Sequence, residues 1–227
     1  MFVEGTLRWQ VTEDCPWDLL MALALRDLGR LGGIGSPVIP PLSPAVVPVF
    51  HGAPGGVPAA GARPEPNPAH PEPNPAHPVG TEPPRSALAE QWLAWFELAV
   101  DREHRPMESL LRPPHFEAFD RAIELQDLVM AHYDAAAGWA RERHAEYART
   151  SVEQHARRAA DIVDVVRDRE HELRRQAGYF RLDLYVLPLV ASGAWIVAPH
   201  TVIVSTSLRD DPGAFRRWFT PVVAALV

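Results

Sequence analysis

Hydrophobic and polar residues alternate over the first twelve positions of the chain. The residues on one side are apolar and those on the other are mainly polar: Val3, Leu7, Trp9 and Val11 against Glu4, Thr6, Arg8 and Gln10. A period of two predicts a half-buried strand over residues 2–12. The Asp14-Cys15-Pro16 sequence that follows is typical of a helix start. Leucines at helical spacing continue that helix as far as Gly29.

Residues 86–178 have the apolar periodicity of helices. Ser86 is suited to cap the first of them, and Arg112-Pro113-Pro114 interrupts the pattern. From residue 115 the pattern runs on for about sixty residues, which would make a helix of roughly 90 Å. Thr150 and Glu153 have the spacing of a capping box. We therefore predict two helices here, 115–148 and 151–177, although no Gly or Pro marks a turn between them.

After Gly178 the period returns to two, which predicts strands. Ser192-Gly193 and Pro199-His200 divide the following segment into three pieces rich in Val, Ile, Trp or Tyr. The division predicts a three-strand antiparallel meander, joined by the N-terminal strand. Asp211-Pro212 indicates a final helix. The fold class predicted is α+β: a small antiparallel sheet packed on long helices.

A proline-rich segment separates the N-terminal elements from the rest. Sixteen of the 24 prolines lie between residues 34 and 84, and the heptad PEPNPAH at 64–70 is repeated at 71–77. Such proline density opposes helices and sheets. The predicted organisation is an N-terminal strand and helix (1–33), a disordered linker (34–85), a helical region (86–178), and a meander with a C-terminal helix (179–227). The first part and residues 86–227 are expected to form one globular unit.

The predicted location is cytoplasmic, without a membrane span. Residues 1–4 lack the features of a signal peptide. Residues 184–208 contain no Asp, Glu, Lys or Arg and are long enough to cross a bilayer. Proline, glycine and hydroxyl residues interrupt that run, so we interpret it as strands.

Composition excludes several kinds of chemistry. All 22 cationic residues are arginine, so phosphate loops and Schiff-base catalysis that depend on lysine are excluded. The single Cys15 excludes an intramolecular disulfide and zinc sites built on several thiolates. The net charge of −7 and the pI of about 5.8 argue against nucleic acid as a partner. Absent lysine and only two asparagines indicate a bacterium of high GC content.

Three sets of residues are candidates for chemistry. Carboxylates and an imidazole spaced 3, 4 and 3 apart lie on one helical face and could contribute to a divalent-metal site: Asp161, Asp164, Asp168 and His171. Interleaved arginines favour a solvated, ion-paired face instead. Aromatic residues near the meander could line a ligand pocket: Tyr179, Tyr185, Trp195 and Trp218. Cys15 at a helix start could be a nucleophile, or could simply pack in the core.

No catalytic constellation emerges from these motifs, and no cofactor is predicted beyond a divalent metal. The favoured hypothesis is a non-catalytic interaction or accessory protein that binds a protein partner through its helices and proline-rich tether. A metal-dependent hydrolase that uses the stripe on helix 151–177 is one alternative. A small-molecule binding module under the aromatic sheet is the other.

Overall fold

The fold is a mixed five-stranded sheet with helices on both faces. The computed structural model describes the backbone of residues 2–4, 8–48, 86–101 and 111–227. The strands are β1 (Phe2–Glu4), β2 (Trp9–Asp14), β3 (Phe180–Leu187), β4 (Ala194–Ala198) and β5 (Thr201–Ser205). The helices are α1 (Trp17–Leu28), α2 (Ala87–Val100), α3 (Ile123–Leu173), α4 (Thr206–Asp210) and α5 (Pro212–Leu226), with a short 3-10 helix at Glu117–Phe119.

The predicted α+β class is confirmed, but the sheet differs from the antiparallel one expected. Its strand order is β1-β2-β3-β5-β4, and both the β2–β3 and the β3–β5 pairs are parallel. Only β1–β2 and β4–β5 pair antiparallel. All five residues of β5 are buried, whereas Ile196 in β4 is exposed. A strand that is apolar on both faces belongs inside a sheet, so β5 separates β3 from β4.

Helix α3 is one continuous helix of 51 residues, so the break predicted at residues 149–150 is wrong. Thr150 and Ser151 are helical, because an Ala-, Arg- and Glu-rich sequence without proline favours helix on both sides of them. The helix ends at Arg174, whose backbone is left-handed (φ 53°). The N–H of Arg175 donates to the carbonyl of Glu170, which satisfies one of the last carbonyls of the helix.

The sheet has two faces with different helical layers. We call the face that carries Thr12, Asp183 and Ile203 the cavity face, because a large cavity lies on it; helices α1 and α2 and the N-terminal half of α3 cover its apolar part. The opposite face carries Val11 and Leu182 and packs against α5 and the C-terminal half of α3. We call this second face the network face, after the ion pairs described below. Helix α3 therefore serves both layers.

Residues 34–48 pack against the helices and the sheet, which differs from the disordered linker predicted from residue 34. The Arg26 side chain donates to the carbonyls of Ile39 (2.6 Å) and Pro40 (2.8 Å). Leu42 pairs with Leu189 in an isolated bridge, and both Ile39 and Leu42 are buried. The remainder of the predicted linker, 49–85, lies outside the described residues and includes both copies of the heptad.

The charge-free run from residue 184 lies in β3, β4, β5 and their connections, as the interruptions in it indicated. None of the described helices combines the length and apolar character needed to cross a membrane. The helix starts predicted at Ser86 and Asp211 are also confirmed. The Ser86 side chain accepts from the Ala89 N–H, and that of Asp211 accepts from the Ala214 N–H.

Candidate ligand cavity and buried ion network

A cavity of about 970 Å³ lies on the cavity face of the sheet. Helix α2, the loop at residues 34–39 and the strands β2, β3, β4 and β5 all contribute to its lining. The volume is at the upper end of the range found for small-molecule sites. Strand alternation places every second side chain of β2 and β3 toward this space. The cavity is therefore formed by the architecture of the sheet and not by one loop.

The floor of the cavity is polar. Thr12, Asp14, Arg181 and Asp183 line it from the adjacent strands β2 and β3. The Asp183 carboxylate is only 14% exposed and accepts a hydrogen bond from the Thr12 hydroxyl. The Arg181 guanidinium lies 3.3 Å from the Asp183 carboxylate. Asp183 is thus a mostly buried carboxylate whose position is fixed by two neighbouring side chains.

The wall of the cavity is aromatic. Trp92 and Phe96 on α2 stack with ring centroids 5.0 Å apart, and Tyr185 on β3 also lines the cavity. The Trp92 indole N–H donates to the carbonyl of Ala22 at 2.8 Å, which fixes the ring against α1. Apolar walls with a few placed polar groups are typical of sites for organic ligands.

Only one of the four aromatic residues predicted to line a ligand pocket does so. Tyr185 lines the cavity and is buried. Tyr179 is 86% exposed, at the start of β3. Trp195 is half-buried against the turn at Gly193, and Trp218 packs on the network face. The structure does not bring the four together, because Tyr179 precedes β3 at the surface and Trp218 lies on α5, on the opposite side of the sheet from Tyr185.

The network face contains a chain of buried charges. Glu13 on β2 is fully buried and pairs with Arg158 of α3 and Arg209 of α4, each at 2.7 Å. Arg158 also pairs with Asp210 at 2.6 Å, and Arg209 lies 4.0 Å from the centroid of the Phe215 ring. Burial alone would lower the pKa of Arg158, but the charge of Glu13 and the hydrogen bond to Asp210 raise it overall. Arg158 therefore stays charged.

Two of the three carboxylates of the predicted metal stripe, Asp161 and Asp164, join this network. The Arg216 side chain donates to Asp161 at 2.8 Å and to Asp164 at 2.9 Å. These hydrogen bonds raise the pKa of Arg216, and the bond donated to Asp161 has the larger effect. Asp168 and His171 are exposed. Among the described residues no group of three or more His, Cys, Asp or Glu side chains could hold a metal ion. The hydrogen bonds from Arg216 to Asp161 and Asp164 support the ion-paired interpretation of the stripe.

The sequence contained an overlooked signal for this network. Glu13 continues the inward alternation of Trp9 and Val11, so its position on the strand marks a charge on an apolar face. Arg158 likewise precedes the buried Ile162 by four residues on α3. A buried charge needs a partner. The two signals together could have indicated a Glu–Arg pair between the strand and the helix.

Cys15 lines a second, smaller cavity of about 200 Å³, together with Tyr147 and Arg158. The Cys15 side chain is buried, and the ring of His144 contacts the Cys15 carbonyl oxygen at 2.9 Å. The imidazole is therefore oriented by the backbone of Cys15. This contact gives the nucleophile hypothesis no support.

The buried phenol of Tyr147 should lower the free energy of unfolding at alkaline pH. Burial, and secondly the negative charge of Glu13, raise the pKa of the Tyr147 phenol. Above pH ~10 the phenol ionises in the unfolded chain but stays neutral in the folded one, so unfolding becomes more favourable as pH rises. This contribution is fully present below pH ~10. It is lost progressively above that pH, by up to about 1.4 kcal/mol per pH unit.

We expect Tyr147→Phe to reduce this loss of stability. Urea unfolding measured between pH 8 and pH 11 should give a shallower decline for the variant than for the wild type. Tyr179→Phe is the matched control, since Tyr179 is exposed. The same decline in wild type and Tyr147→Phe would show that the phenol does not contribute.

Comparisons of the chain with models of protein families, with curated proteins and with solved structures gave no match.

Proposed function

We propose that the protein is a non-catalytic binding protein that holds a small organic molecule in the cavity between α2 and the sheet. The proposal is based on the lining of the cavity, which combines an aromatic wall with a polar floor. The wall is formed by Trp92, Phe96 and Tyr185. Such a site buries an apolar ligand body and orients its polar groups.

The buried ion network supports this role indirectly. Glu13 is held by two arginines on the network face. Its chain neighbours Thr12 and Asp14 line the cavity on the opposite face. The network therefore fixes the strand that forms part of the floor. A site whose shape is set in advance loses less conformational entropy when a ligand binds.

The other hypotheses have less support. A metal-dependent hydrolase needs Asp161 and Asp164 as ligands, and both carboxylates accept hydrogen bonds from Arg216. A protein partner and a cytoplasmic location stay predictions from the sequence. Of the proposed proline-rich tether, residues 49–85 lie outside the described residues.

The proposal is tested by blocking the cavity. Ala198 lines it from β4 and is half-buried, so Ala198→Trp should fill part of the space. We expect compounds that raise the melting temperature of the wild type in a thermal-shift screen to lose that effect in this variant. Ala156→Trp, at an exposed site on α3, is the matched control and should respond like the wild type. Stabilisation that survives in Ala198→Trp would place the ligand elsewhere and overturn the proposal.

A further inference from the structure

The charges that line the cavity are unequal in sign. Among the described residues, four carboxylates line it: Asp14 and Asp183 from the strands, Glu97 from α2, and Asp101 directly after that helix. Arg181 is the one arginine among these described lining residues. The Glu13 side chain belongs to the network face, where two arginines neutralise it. A cleft with low-dielectric walls and an excess of one charge concentrates ligands of the opposite charge.

Asp183 has the setting that a cation needs. Its carboxylate is largely withdrawn from water and is held by the Thr12 hydroxyl and by the Arg181 guanidinium at 3.3 Å, so little rearrangement is required when a ligand arrives. Charge attraction is stronger in such a partly dry site than in water. The Trp92 and Phe96 rings line the same cavity, and the faces of aromatic rings also attract cations. The carboxylate and the rings therefore select for the same ligand chemistry.

We infer that the ligand is an organic cation, an amine with an apolar body, whose ammonium group pairs with Asp183 while its body packs against Trp92 and Phe96. This inference rests on the proposed function and specifies its ligand class. Arg181 offsets one of the four lining carboxylates, so the described lining keeps an excess of negative charge and disfavours an anion. An anionic ligand there would also meet the like charge of Asp14.

Three probes of similar size test the inference: phenethylamine, its neutral analogue 2-phenylethanol, and the anion 3-phenylpropionate. Their affinities for the full-length protein would be measured by calorimetry at pH 7 and low salt, since salt screens charge attraction. We expect the amine to bind at least about tenfold more tightly than the alcohol, and the anion to bind most weakly. Equal or tighter binding of the anion, or no binding of the amine, overturns the inference.

Asp183→Asn tests the residue assignment. The amide keeps an acceptor for the Thr12 hydroxyl but removes the charge, so amine affinity should fall about tenfold while alcohol affinity holds. Asp168→Asn, which removes an exposed carboxylate on α3, is the matched control and should change neither affinity. An unchanged preference for the amine in Asp183→Asn contradicts the assignment.

Two further measurements keep the outcomes distinct. If Asp183→Asn does not fold, Asp14→Asn replaces it as a test of the negative lining, and amine affinity should then fall while alcohol affinity holds. If the alcohol binds the wild type and is excluded by Ala198→Trp, but the amine has no advantage, the ligand class is wrong while the proposed function stands. If ligands found in the thermal-shift screen bind Ala198→Trp as well as the wild type, the proposed function itself fails.

Discussion

Replacing Glu13 by Gln is expected to destabilise the protein by about 3–5 kcal/mol. Glu13 is fully buried and is the partner of both Arg158 and Arg209. The substitution keeps the size of the side chain but leaves two buried guanidinium groups with less compensation. Arg158 retains Asp210, whereas the nearest remaining carboxylate to Arg209 is that of Asp161, at 3.7 Å. The cost is one of leaving buried charge unpaired; it does not measure the net contribution of the whole network.

Urea unfolding at neutral pH measures this loss directly. Glu153→Gln is the matched control, because Glu153 is exposed on α3 and the change in charge is the same. Surface substitutions of this kind usually alter stability by less than about 0.5 kcal/mol. If both variants unfold at the same urea concentration, the pairing of Glu13 with the two arginines would be refuted.

Trp92→Ala is the second change with a large expected effect, about 3–5 kcal/mol. Trp92 is almost completely buried, its ring stacks on Phe96, and its indole N–H donates to the Ala22 carbonyl. Truncation removes the apolar contacts, enlarges the cavity and leaves that buried carbonyl without this donor. We therefore expect a lower melting temperature and loss of ligand binding together.

Two variants separate the causes of this effect. Leu98→Ala on the same helix is the control for truncation, since Leu98 is half exposed and should cost little. Trp92→Phe keeps an aromatic ring but loses the N–H donor, and should fall between the wild type and Trp92→Ala in stability. A melting temperature for Trp92→Ala equal to that of Leu98→Ala would contradict the packing described for α2.

Local patterns of the sequence predicted much of the secondary structure. The caps at Ser86 and Asp211 correspond to helix starts, and the alternation around Trp9 and Val11 corresponds to β2. The single strand predicted over 2–12 is instead two antiparallel strands, β1 and β2. Strand order could not be read in the same way. Strand order depends on the burial of both faces of β5, and on the long helical connection between the parallel strands β2 and β3. A pattern over neighbouring residues contains no information about such distant pairing.

The single helix α3 shows where a local signal misleads. The Thr150–Glu153 spacing is that of a cap, but a cap begins a helix only where the chain already turns. Leu125 and Val129 pack in one hydrophobic cluster and Ile162 and Val166 in the other. Packing at both ends therefore extends the helix across a segment whose own residues are mostly exposed.

The candidate site was the hardest feature to predict. The cavity combines Thr12, Trp92 and Asp183, which lie far apart in the sequence and meet only through the sheet and the packing of α2. Choosing residues by type favoured the aromatic set, of which only Tyr185 lines the cavity. The position of Asp183 within an alternating strand was the better signal, because it places a carboxylate on the same face as Tyr185.

The central claim, that the cavity binds a small organic molecule, is tested most directly by equilibrium dialysis. The small-molecule fraction of a cell extract from the source organism would be dialysed against the wild type, Ala198→Trp and Ala156→Trp, and retained compounds identified by mass spectrometry. At least one compound should be enriched with the wild type and with Ala156→Trp but not with Ala198→Trp. Retention of the same compounds by all three proteins, or of none by the wild type, would contradict it.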